Sequence, residues 1–144
     1  MGFTGDLAAM GHLVDRIADL ASVPSRAAPR AARSIATLIE EEFAHGHDPY
    51  GDPWAPLAEA TLAKGRTPPP LTDTRAMRRG VQVKPQRGAG IAVTIDAAYA
   101  PPHQTGWEGP QGSGPARPML PDRAELPDEW TEAIEAAVAR EVRR

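Results

Sequence analysis

The chain has no cysteine, few aromatics and no long apolar run. Without cysteine it has no disulfide and no thiolate chemistry, and a cytoplasmic or redox-indifferent protein is expected. Two Phe, two Tyr and three Trp supply few large side chains to its 144 residues, so one modest core is expected, with burial against neighbouring subunits making up part of the difference. No apolar stretch approaches the roughly 20 residues that span a bilayer. The segment Met1–Leu20 carries Asp6, Asp15 and Asp19 and lacks a basic leader, so it does not read as a signal peptide.

Proline, by contrast, is plentiful. Of 16 prolines, all but Pro24 and Pro29 lie between Pro49 and Pro127, which confines long helices to the two ends. Leu7, Met10, Val14, Ile17 and Ala21 recur at spacings of three and four and predict a first helix that Pro24 ends or bends. A second helix is predicted from about Ser25 to about Ala44, with Pro29 in its first turn. Its apolar stripe is Ala28, Ala31, Ile35, Leu38, Ile39 and Phe43. Glu40, Glu41 and Glu42 sit near its C-terminus against the helix dipole, so they are expected to face solvent or a basic partner. His12 is expected to be half-buried beside the first stripe.

His45–Leu57 reads as loop, and Leu57–Lys64 as one or two helical turns. Thr67–Pro70 reads as a rigid connector. Two strands follow, Met77–Lys84 and the alternating Ile91, Val93 and Ile95, joined by a hairpin loop over Pro85–Gly90. The Gly- and Pro-rich stretch at about 106–118 is expected to be a mobile excursion. A last helix follows Pro127, with Trp130, Ile134, Ala137 and Val138 on one face. These elements predict a single α+β domain over 1–144, a small twisted antiparallel sheet packed by N-terminal and C-terminal helices.

Charge is uneven. Residues 60–90 hold Lys64, Arg66, Arg75, Arg78, Arg79, Lys84 and Arg87 against Asp73 alone, while the flanks are acidic. Such a block is a solvated surface, or it meets an acidic partner or passing nucleic acid. For chemistry, His45, His47 and Asp48 are the best metal candidates; spacing indicates no distant ligand to complete them, and His103 could be that missing ligand only if the fold brings it there. Asp48, Asp52 and Glu59 have no nucleophile or oxyanion device beside them. Thr61, Thr72 and Thr74 read as caps or strand-edge residues, and no phosphate-cradling loop is present. No catalytic residue, metal or cofactor is assigned. Trp54, set between Pro53 and Pro56, can anchor its loop on the sheet or on a neighbouring molecule.

From Phe43 onward a succession of short motifs appears in order. It runs Asp48-Pro49-x-Gly51-x-Pro53-Trp54-x-Pro56-Leu57 and Thr61-Leu62-x-Lys64, then Pro70-Leu71-Thr72-Asp73-Thr74 before a basic strand. Tyr99-Ala100, His103-Gln104-x-Gly106 and Pro115-Ala116-Arg117-Pro118-x-Leu120 follow. This succession resembles the phage virion morphogenesis family, the tail completion proteins of Mu-like and related tailed phages and prophages, over roughly Ile35 to Leu120. Arg75 stands where the family usually carries a glycine. The resemblance implies a non-enzymatic virion protein, assembled in the host cytoplasm, that forms a homo-oligomeric ring, with a hexamer among the sizes it allows. Its implied role is to cap the tail tube and enable head–tail joining, with tail-tube and head-connector proteins as partners and no membrane. A tail terminator or another neck subunit is the alternative, and a basic nucleic-acid adaptor a more distant one. Trp54, Tyr99 and Arg117 are then candidate assembly residues. Arg75, Arg78 and Arg79 are candidates for contact with neighbours or with DNA passing through a lumen.

Overall fold

In the computed structural model, the described residues are 7–65, 70, 76–87, 90–97, 100–110 and 112–144. Tyr99, Arg75, Thr72 and Thr74, and all but Pro70 of the Thr67–Pro70 connector, lie outside them. Helix α1 (Leu7–His45) is followed by the short helices α2 (Glu59–Ala63) and α3 (Ala76–Arg79). Strands β1 (Val81–Pro85) and β2 (Ile91–Ile95), helix α4 (Ala100–Thr105), strands β3 (Trp107–Gly109) and β4 (Gly112–Gly114), and helix α5 (Asp128–Val142) complete the chain. The result is a small α+β domain whose twisted antiparallel sheet is flanked by the N- and C-terminal helices.

The expected break at Pro24 does not occur: α1 runs through both Pro24 and Pro29. Each interior proline removes one backbone donor and costs about 3 kcal/mol locally. Side chains supply donors around the first of them. Ser22 Oγ donates to the Asp19 carbonyl (2.7 Å) and Ser25 Oγ to the Ser22 carbonyl (3.0 Å). Arg26 reaches back across Pro24, donating from Nη2 to the Asp19 carbonyl (3.2 Å) and pairing with its carboxylate (3.3 Å). Tertiary packing does the rest. Val23, Ala27, Ala28, Ala31, Ala32, Ile35, Ile39 and Phe43 are all buried.

Two packing zones hold α1. Near its C-terminus Ile35, Ile39 and Phe43 join Trp54, Met77, Ala100, Met119 and Trp130, backed by Val81, Val83, Ile91, Val93 and Ile95 from the sheet. Further back, Ala27 and Ala31 meet Ala137, with Ile134 and Val138 beside them. The start of α5 therefore lies near the end of α1, and the two helices run antiparallel. Small residues let their backbones come close.

Strands β1 and β2 pair antiparallel with Val83 opposite Val93 and Val81 opposite Ile95, so the alternating apolar residues share the core face. The first strand begins later than expected, because Ala76–Arg79 forms the helical turn α3 and inserts Met77 into the core. The stretch read as an excursion at about 106–118 instead contains a second hairpin, β3–β4, in which Trp107 pairs with Gly114. The indole lies so close to Gly114 that a Cβ there would collide with it. His12 is exposed rather than half-buried. Among the described residues, no helix is long and apolar enough to cross a membrane.

Candidate functional site

Several of the motif residues between Phe43 and Leu120 are brought together around one tryptophan. Trp54 is 5 % exposed. Its ring meets Phe43 edge-on with centroids 5.4 Å apart, and its indole N–H donates to the Pro118 carbonyl at 2.7 Å. Next to it, Arg117 donates from Nε to the Ala55 carbonyl (2.8 Å) and from Nη2 to the Pro56 carbonyl (2.9 Å). Burial lowers the pKa of its guanidinium. The Pro53–Pro56 loop and the Pro115–Pro118 segment are thus clamped by one side chain from each. Trp54 anchors within its own chain and has little surface left for a neighbour. Arg117 likewise turns its Nε and Nη2 donors to its own chain.

Gln104 completes the lock. Its Oε1 accepts from the backbone N–H groups of Met119 (2.8 Å) and Leu120 (3.0 Å), and its Nε2 donates to the Leu120 carbonyl (2.9 Å). One amide replaces a strand neighbour for a segment with no sheet partner of its own. The Arg117 N–H donates to the His103 carbonyl at 2.6 Å. Burial, and then the charge of Arg117, push the His103 pKa below its ordinary value. Gly106 turns the chain at φ 78°, and a Cβ there would stand 3.1 Å from both Ala116 N and the Gly114 carbonyl oxygen. Because both neighbours are backbone, Gly106→Ala should cost about 2 kcal/mol. Urea unfolding checks this, and an unchanged midpoint would show that the turn tolerates a side chain.

The His45–Asp52 loop is committed to turn geometry. Asp48 is buried, and its Oδ1 accepts from the N–H groups of Tyr50 and Asp52, each at 2.9 Å. The His45 and His47 rings are parallel with centroids 6.2 Å apart, and their Nδ1 atoms sit against the Glu41 and Asp48 carbonyls at 2.9 and 2.7 Å. Among the described residues, no three His, Asp or Glu side chains could hold a metal ion. The Arg123 guanidinium covers the Tyr50 ring at 4.1 Å and pairs with Asp52 at 2.7 Å, which raises its pKa. The Tyr50 hydroxyl donates to the Glu125 carbonyl at 2.6 Å. The hydroxyls of Ser22, Ser25, Thr37 and Thr105 all donate to backbone carbonyls.

Arg78 and Arg79 are exposed on α3, where they remain available to a partner. Glu42 reverses an expectation: it is 2 % exposed, not solvent-facing. Burial raises its carboxyl to about 8. The nearby Trp130 indole offsets part of that rise, and the charges of Asp48 and Glu129 add to it. Neither Glu42 Oε2 nor Trp130 Nε1 completes a hydrogen bond of good geometry. In the sequence, Glu42 is separable from Glu40 and Glu41 only by lying three residues after Ile39 and beside Phe43, on the apolar stripe. Trp107, at 42 % exposure on the β3–β4 hairpin, is a surface aromatic that the composition of its segment concealed.

The chain matches no family model, no curated protein and no solved structure.

Proposed function

We propose that this chain is a structural subunit of a tailed phage or phage-derived particle, a ring-forming tail completion or neck protein that closes the tail tube and enables head–tail joining. The observation that carries this reading is the convergence of the ordered motifs. Phe43, Trp54, Gln104, Gly106, Arg117 and Leu120, spread over nearly eighty residues of sequence, all belong to one backbone-locking cluster. A motif set that fixes chain path rather than reactive groups suits a protein whose product is a shape. The exposed guanidiniums of Arg78 and Arg79 suit non-specific contact with an acidic neighbour or with sliding DNA. The reading assigns no chemical step to the chain.

Electron microscopy of particles made without this protein tests it. Filled heads and separate tails should accumulate, and ragged or overlong tail ends would favour the terminator position. Joined particles in normal numbers would remove the structural role.

A further inference from the structure

Helix α1 outruns its own domain. Helix α5 reaches Ala27 and Ala31 through Ala137 and ends at Val142, little more than a turn later. Antiparallel to α5, α1 continues from Ala27 back to Leu7, so about 15 of its residues, roughly 22 Å, extend beyond the end of α5. On this arm Val14, Ile17 and Leu20 are 62 %, 58 % and 51 % exposed. They are not scattered. Each lies eighteen residues, five whole turns at 3.6 residues per turn, before a residue of the covered face: Ala32, Ile35 and Leu38. The arm thus carries the core-facing side of α1 onward, and among the described residues nothing covers it.

We infer that the arm docks against the arm of a second copy of this chain, as an antiparallel helix pair. Three observations select that occupant. The face continues one that already accepts an antiparallel helix, α5, through small residues. The arm itself has that character, with exposed Ala18 and Ala21 beside Val14, Ile17 and Leu20. Its charge is low, because Asp15 is offset by Arg16 on the arm and Asp19 is paired with Arg26 just beyond it. Two such arms do not repel, whereas a helix built for an anionic membrane would carry an excess of Lys and Arg on its polar face. An arm of about 15 residues offers fewer than the roughly 20–30 residues a side of a standard interface, so the contact is weak and concentration-dependent. The inference rests on the helix geometry and not on the tail reading.

The absence of native cysteine makes the test direct. Under mild oxidation, full-length Ile17→Cys should form a disulfide-linked dimer, while Arg33→Cys, on the opposite exposed face, should stay monomeric. Sedimentation over a concentration series should show the unmodified protein self-associating. Ile17→Glu, with unchanged circular dichroism and melting temperature, should raise the dissociation constant roughly tenfold or more. A monomer at every concentration, with Ile17→Cys cross-linking no faster than Arg33→Cys, overturns the inference. So does binding to phosphatidylcholine/phosphatidylserine vesicles that Ile17→Glu abolishes in a protein that does not self-associate. Since the readout uses purified protein, it fails or succeeds independently of the particle phenotype.

Discussion

Glu42→Gln should stabilise the protein progressively as the pH rises from 5 to 8. In the unfolded chain this carboxyl ionises near 4.5, whereas in the folded protein burial holds the proton until about 8. Between those values unfolding releases a proton, so rising pH favours the unfolded state by up to about 1.4 kcal/mol per unit. Over the whole window the accumulated loss is on the order of a few kcal/mol, a large share of the 5–15 kcal/mol typical of a domain. Above about 8 the folded carboxyl ionises too and the curve flattens. Glutamine keeps the shape of the side chain and removes the titration. Melting temperatures of the two proteins should nearly coincide at pH 5 and differ by roughly 10 °C at pH 8. The comparison isolates Glu42 from His103, whose lowered pKa acts in the opposite direction, adding stability as the pH rises through its range. Parallel curves for the two proteins would mean that Glu42 ionises as an ordinary surface acid does.

Trp54→Ala should have an effect of similar size at every pH. It removes a fully packed indole, its edge-on contact with Phe43 and the hydrogen bond to the Pro118 carbonyl. Large-to-small replacement of a buried aromatic costs about 3–5 kcal/mol, and the stranded carbonyl adds about 1 kcal/mol or more. Trp54→Phe separates the two parts. It keeps most of the packing and should lose about 1–2 kcal/mol. Calorimetry of both variants measures the difference. A Trp54→Ala protein melting within a degree or two of the parent would show that the 53–56 loop is held by Arg117 alone.

These two residues also mark the limits of local reading. Glu42 belongs to a run of three glutamates, and only its place on the apolar stripe beside Phe43 separates it in the sequence from Glu40 and Glu41. Only the docking of α5, with Trp130 over that turn of α1, puts one carboxyl inside and leaves its neighbours exposed. Trp54 was legible as an anchor, since a tryptophan among prolines has little other use. What it anchors to, Pro118, is 64 residues away in the chain. The candidate residues Arg78 and Arg79 are at the surface, where a charge block is expected to lie, whereas Arg117 was visible as a motif residue but not as an internal clamp.

The sequence by itself determined the elements whose signals are short-range. The alternation of Ile91, Val93 and Ile95 against Val81 and Val83 specified a hairpin, because a one-residue slip would turn every apolar side chain outward. Pro127 followed by Asp128 and Glu129 specified where α5 starts. The missing cysteines excluded covalent bracing. Tertiary structure alone decided that α1 is one helix. Locally, Pro24 argues for a break by several times RT, and Pro29 suits the first turn of a separate helix. The opposing terms are the Arg26 strap to Asp19, which forms only along an unbroken helix, and the burial of one continuous face against α5 and the sheet, which requires groups brought together by the fold. Where that face runs past the end of α5, the same continuity leaves Val14, Ile17 and Leu20 in water, because helix geometry carries an apolar stripe onward whether or not the chain supplies anything to cover it.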